Sequence, residues 1–130
     1  MFDTELELAV PARLQQVGAL RRAADAFLHE STDVQVRYTL LLVVSELCTN
    51  AIEALHDRRA QLTLRVRDLP ECVVVEVEDC GPGFAAAMGR TGSSDDTERG
   101  RGLQVVQSLV DDLSVDRSEG CTRVRCMVKK

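Results

Sequence analysis

Apolar and polar residues alternate along the chain at Leu6, Leu8 and Val10, at Leu62, Leu64 and Val66, and at Val73, Val75 and Val77. The same period of two returns near the end at Val124, Cys126 and Val128. Side chains of a strand point alternately to opposite faces, so each stretch offers one apolar face and one polar face. Short connections join these strands in pairs. The pattern predicts a mixed, largely antiparallel sheet covered by helices on one face only, an α+β protein built as a two-layer α/β sandwich.

The covering layer comes from the segments between the strands. Pro11 opens a helical pattern that places Leu14, Val17, Ala24, Phe27 and Leu28 on one side. After the break His29–Asp33, Asp33 is a candidate N-cap for a second helix running to about Asp57. From Phe84 to Arg99 the pattern dissolves into small and polar residues, which predicts a long functional loop. A further helix begins near Leu103, with Val106, Leu109 and Val110 on its stripe. Neither an internal repeat nor a linker divides the 130 residues, so one domain is expected over 1–130.

With no Trp, one Tyr and three Phe, the core must rest on Val, Leu, Ala and Ile. A net charge of −5 with so few aromatics argues against direct nucleic-acid binding, which needs basic patches and stacking rings. The five cysteines are odd in number and form no CxxC pair, so reduced thiols in a cytoplasm are expected rather than zinc or a disulfide framework. The N-terminus lacks a signal-peptide pattern, and the longest apolar run, Leu40 to Val44, is too short to cross a membrane.

Against this background, polar residues stand where the patterns call for apolar ones. Glu46, Asn50 and Glu53 are spaced i, i+4, i+7 and share one helix face. A solvent stripe would look the same, but the preceding Leu40–Val44 is apolar all round, as in a helix enclosed by neighbours. Glu46 is then partly buried and a candidate general base, and the Asn50 carbonyl suits Mg²⁺. Strand parity puts Asp79 on the inward row of Val73, Val75 and Val77. Such a carboxylate either caps the Gly-Pro-Gly turn or accepts a hydrogen bond from an exocyclic amine such as that of adenine. Gly81 and Gly83 let a base or ribose lie against the backbone. Thr122 opens the inward row of the last strand, and beside Asp79 it would contact the same ligand edge. Gly100, Arg101 and Gly102, just before the helix expected near Leu103, either form a flexible hinge ending the loop or present backbone N–H groups to phosphates. The match of Gly81-x-Gly83-x-x-Ala86 to a dinucleotide fingerprint lacks the strand–turn–helix context it needs, and no P-loop is present.

The segment Ser45-Glu46-Leu47-Cys48-Thr49-Asn50-Ala51-Ile52 resembles the N box of the ATP-binding superfamily shared by gyrase, mismatch-repair ATPases, heat-shock chaperones and histidine kinases. Asp79-x-Gly81-x-Gly83 resembles its adenine box, Glu98-Arg99-Gly100-Arg101-Gly102-Leu103 its second glycine box, and Gly120–Val124 its closing strand. The resemblance implies a Bergerat-type ATP-binding fold with a nucleotide lid at about 84–100. Without a phospho-accepting helical segment ahead of it, the chain is most similar to the anti-sigma-factor serine kinases of bacterial partner-switching systems. That similarity implies a cytoplasmic enzyme that uses ATP and Mg²⁺ to phosphorylate a small anti-sigma factor antagonist. It also implies that the protein sequesters a sigma factor, often as a homodimer.

Position by position, the resemblance makes Glu46 the general base, Asn50 the Mg²⁺ ligand and Asp79 the acceptor for the adenine amine. Thr122 supports Asp79 through a water, and Gly100, Gly102 and Arg101 attend the phosphates, with Leu103 closing that box. Many kinases of the group carry His or an aromatic four residues after the Asn, where this chain has Ala54. Two other functions fit the same residues: a non-catalytic nucleotide-gated binding module, and the catalytic half of a split histidine kinase.

Overall fold

The computed structural model describes residues 4–55, 60–80 and 96–130, with backbone alone for 96–102. Strand β1 (Thr4–Pro11) leads through a short 3-10 turn (Leu14–Gln16) into helices α1 (Val17–Leu28) and α2 (Val34–Ala54). Strands β2 (Gln61–Asp68) and β3 (Cys72–Cys80) follow, then helix α3 (Asp96–Leu109) and strands β4 (Asp112–Ser118) and β5 (Cys121–Lys129). The strands form one sheet in the order β1-β2-β3-β5-β4, and each of its four pairings is antiparallel. The expected α+β sandwich is therefore present, at the fully antiparallel end of the expected range.

Period-two patterning and burial agree strand by strand. Leu62, Leu64 and Val66 of β2 and Val73, Val75 and Val77 of β3 are buried, as are Cys126 and Val128 of β5. Leu20, Ala24 and Leu28 of α1, a stripe along α2 and Val106 of α3 meet this face in one core. Each Leu or Val enclosed there contributes roughly 1.5–3 kcal/mol relative to exposure.

The helix limits carry local reasons. The Asp33 carboxylate accepts from the Val36 N–H at 2.8 Å, capping α2 as its sequence predicts. Pro11 does not open a helix. It is the last residue of β1, opposite Gln61, and Ala12 extends the ladder by donating to the Ala60 carbonyl at 3.0 Å. A proline is tolerated there because β1 is an edge strand. The β4–β5 hairpin turns on Glu119 (φ 55°) and Gly120 (φ 77°), two left-handed residues that suit a two-residue loop and fix Ser118 opposite Cys121.

The third helix departs from the expected boundary. It starts at Asp96, not near Leu103, so residues 100–102 lie within helical backbone rather than ahead of it. The run Asp95-Asp96-Thr97-Glu98 carries the polar and acidic residues that favour a helix start, and the packing of Leu103 and Val106 on the core offsets the cost of the two glycines. Among the described residues, no helix is long and apolar enough to cross a membrane.

Candidate functional site

The C-terminal half of α2 lies at the end of the sheet where β3 finishes. Ala54 and Leu55 pack with Ala60, the residue before Gln61, and Gln61 pairs with Cys80. Helix α2 touches α1 and α3 as well as β2, β3 and β5, which explains its unbroken apolar stretch at Leu40–Val44. Its buried stripe contains Val43, Leu47 and Ala54. At ~100° per residue Asn50 falls about 20° beyond Val43, Glu46 about 60° and Glu53 about 80°. Burial follows that order: Asn50 and Glu46 are half-buried, whereas Glu53 is exposed. The shared polar face thus grades from core to solvent.

Asp79 is 3% exposed and stands directly opposite Thr122, which is 6% exposed. Its other neighbour in the row, across β2, is Leu62. One side of the carboxylate is therefore apolar and the other carries a hydroxyl. Burial pushes the Asp79 carboxyl up to about 7, and the charge of adjacent Glu78 adds to the effect.

Three residues expected to hold a nucleotide are also polar orphans. The Asp79 Oδ1, the Thr122 Oγ1 and the Asn50 Nδ2 are buried, and no described group hydrogen-bonds them. Native proteins pair nearly all such atoms, and two of these three stand on one rung, at Asp79 and Thr122, as a ligand edge would need. Their chemistry fits a purine edge at Asp79 and Thr122. At Asn50 the amide can turn either its NH₂ or its carbonyl to a ligand, and the carbonyl suits a hard cation.

Residues 81–95 lie outside the description, and with them the roles expected of Gly81, Gly83 and most of the predicted lid. The second glycine segment is revised. With α3 starting at Asp96, the N–H groups of Gly100 and Gly102 fall where helical bonding to the preceding turn uses them. They are not free for phosphate as this backbone stands. Leu103 is half-buried and packs on the core.

The cysteine expectation is also corrected. Cys80 and Cys121 form a disulfide, their Cα atoms 4.2 Å apart, one residue beyond the Asp79–Thr122 pair and on the opposite face. The signal was present in the sequence: placing Thr122 beside Asp79 in an antiparallel pair necessarily sets Cys121 opposite Cys80. Cys48 and Cys126 are free and buried, and burial pushes both thiols up to about 12, so they behave as packing residues.

A second feature that sequence reasoning passed over is the charged outer face of the sheet. Arg65 binds Glu7 at 2.8 Å, Glu76 at 2.8 Å and Glu78 at 3.0 Å, while Arg125 reaches Glu76 at 2.9 Å and Arg123 reaches Glu78 at 2.7 Å. The alternation of Arg and Glu on the polar parity of β1, β2, β3 and β5 would have revealed it.

Residues 10–128 match the family model described as the histidine kinase-like ATPase domain. No curated protein matches the chain significantly. Among solved structures, the chain is similar to one containing the RsbU and RsbW domains of Rv1364c from Mycobacterium tuberculosis, at a TM-score of 0.70 and 17% identity. The likeness covers 96% of this chain and 31% of that one, so the chain spans about a third of the solved chain's length.

Proposed function

The chain belongs to the histidine kinase-like ATPase domain family, and from this we propose that it is an ATP-dependent serine-protein kinase and anti-sigma factor of a cytoplasmic bacterial partner-switching system. The observation that carries the reading is the buried Asp79–Thr122 pair, in which Asp79 Oδ1 and Thr122 Oγ1 have no hydrogen-bond partner among the described residues. A carboxylate accepts from the exocyclic amine of adenine, and a hydroxyl beside it holds a bridging water. The fold shared with a structure that includes an RsbW domain supports the choice within the family.

In this reading the half-buried Glu46 takes the proton from the substrate serine hydroxyl as that oxygen attacks the γ-phosphate. Asn50, one turn further along α2, holds Mg²⁺, which when bound neutralises charge on the phosphates. Gly81 and Gly83 lie against the base and ribose, and Gly100, Arg101, Gly102 and Leu103 form the phosphate end of the site. For the glycines to donate there, the first turns of α3 must open. The serine belongs to a small anti-sigma factor antagonist, and the same protein sequesters a sigma factor as a homodimer.

The test is incubation of the wild type and Glu46→Gln with ATP, Mg²⁺ and candidate antagonists. Acid-stable phosphate on a serine of the antagonist, lost in the variant, is the expected result. Equal phosphorylation by both proteins would remove Glu46 from its role. Acid-labile phosphate would instead indicate a split histidine kinase, and nucleotide binding with no transfer would indicate a non-catalytic module.

A further inference from the structure

Cys80 and Cys121 lie at the end of the β3–β5 ladder, on the outer face of the sheet. The next outer rung is Glu78 opposite Arg123, and the inner-face residues between these rungs are Asp79 and Thr122. A bond between the two sulfurs is therefore a covalent rung directly beside the pair assigned to adenine. Cys80 is exposed and Cys121 half-buried, so a small molecule can reach the sulfurs.

We propose that Cys80 and Cys121 are a thiol–disulfide exchange site that sets the nucleotide affinity of the adjacent Asp79–Thr122 pair. The inference rests on the nucleotide reading of that pair. The ends of a sheet ladder are where strands open most readily. Closing the rung holds Asp79 and Thr122 side by side before the ligand arrives, and less ordering remains to be done on binding. Opening it leaves this end of the β3–β5 ladder held by backbone pairing alone, one rung beyond the pair.

The chemistry needs a low-molecular-weight disulfide as oxidant. One cysteine thiolate attacks it, forming a mixed disulfide and expelling one small thiolate. The second cysteine thiolate then attacks the protein sulfur of the mixed disulfide and expels the other. Two protein thiols and one small disulfide become one protein disulfide and two small thiols, which take up the protons the cysteines lose.

The rest of the molecule restricts this reaction to one pair. Cys48 and Cys126 are enclosed in the core with their thiols held protonated. Cys72 faces Lys129 across the ladder, not another thiol. Glu78, with a carboxylate oxygen within 4.8 Å of both sulfurs, is bound by Arg65 and Arg123, which offset the negative charge that would oppose a thiolate.

The experiment compares the fully reduced full chain with a portion oxidised by a small disulfide such as glutathione disulfide. Peptide mass mapping after alkylation locates the bond, and calorimetric titration with ADP and Mg²⁺ measures affinity. A Cys80–Cys121 bridge in the oxidised portion and about three- to tenfold tighter ADP binding than in the reduced portion are expected. Cys80→Ser and Cys121→Ser should both match the reduced wild type, with or without oxidant. No bridge at 80–121, or equal affinity in the two portions, overturns the proposal while leaving the nucleotide site intact. Reduced protein that retains zinc on Glu78, Cys80 and Cys121 and resists the oxidant overturns it in favour of a metal site. A bridge that forms in protein unable to bind ADP in either state defeats the nucleotide reading itself, and the switch with it.

Discussion

Asp79 and Thr122 stand opposite each other on the β3–β5 ladder, both buried on the helix-covered face, and each keeps a side-chain oxygen that no described residue engages. A buried polar atom without a partner costs roughly 1–3 kcal/mol. Two such atoms on one rung are poor for folding and well suited to a ligand edge.

Thr122→Val separates those two effects. Valine keeps the shape and removes the hydroxyl, so the urea midpoint should hold or rise, by up to about 1 kcal/mol in stability. Adenine nucleotide affinity should fall about tenfold, the worth of one hydrogen bond. Denaturation and calorimetry on the same preparation check both. A variant that is clearly less stable would mean that the hydroxyl already has a structural partner.

The sheet and the inward placement of Asp79 were legible because period-two alternation is a local property, and burial of one face follows from it directly. The Asp33 cap was legible for the same reason, since its partner Val36 is three residues away. The start of α3 was not. Glycine at 100 and 102 lowers helix propensity, and a sequence window cannot weigh that against the packing of Leu103 and Val106 on the core. The Cys80–Cys121 rung and the Arg65–Glu76–Arg125 network depend on register between distant strands, which a search for local motifs passes over.

Asp79 should make stability depend on pH in the opposite sense to a salt-bridged carboxylate. Unfolded, it titrates near 3.8, and folded at about 7, so the native state holds the proton more tightly. Its stabilising contribution is complete below pH 3.8, declines as pH rises towards 7 and is level above that. The shift corresponds to about 4 kcal/mol at most. Urea denaturation at several pH values should show the decline in the wild type and lose it in Asp79→Asn. Because the adenine amine needs the ionised carboxylate, nucleotide binding below pH 7 should release a proton. Calorimetry in buffers of different ionisation enthalpy measures that proton directly.

Glu76, only 8% exposed, tests the outer face. Burial works to raise its pKa, but hydrogen bonds from Arg125 and Arg65, with their charges, outweigh burial and leave it below the usual carboxylate value. Its contribution is present above the unfolded pKa and is lost as pH falls through the depressed folded value. Glu76→Gln should cost about 1–2 kcal/mol, because it removes the charge that two arginines share. Arg125→Ala should cost less than about 0.5 kcal/mol, since that side chain is largely in water. Arg65→Ala should cost more than Arg125→Ala, because Arg65 engages Glu7, Glu76 and Glu78 together. Denaturation midpoints that rank the two arginines the other way would show that packing, not charge, holds this face.

Gly100 decides whether α3 is fixed or opens to meet phosphate. Its backbone is helical, and glycine within a helix is roughly 0.8–1.0 kcal/mol less favourable than alanine. Gly100→Ala should therefore strengthen the first turns of α3, seen as slower amide exchange at 96–102. If phosphate binding requires those turns to unwind, the added stability opposes it. ATP affinity should then fall about fivefold, near the equilibrium equivalent of that propensity difference. Adenosine, which lacks phosphates, should bind the variant and the wild type alike. A loss of affinity for both ligands would place the effect at the adenine end, and unchanged ATP affinity would mean that phosphate meets α3 as a closed helix.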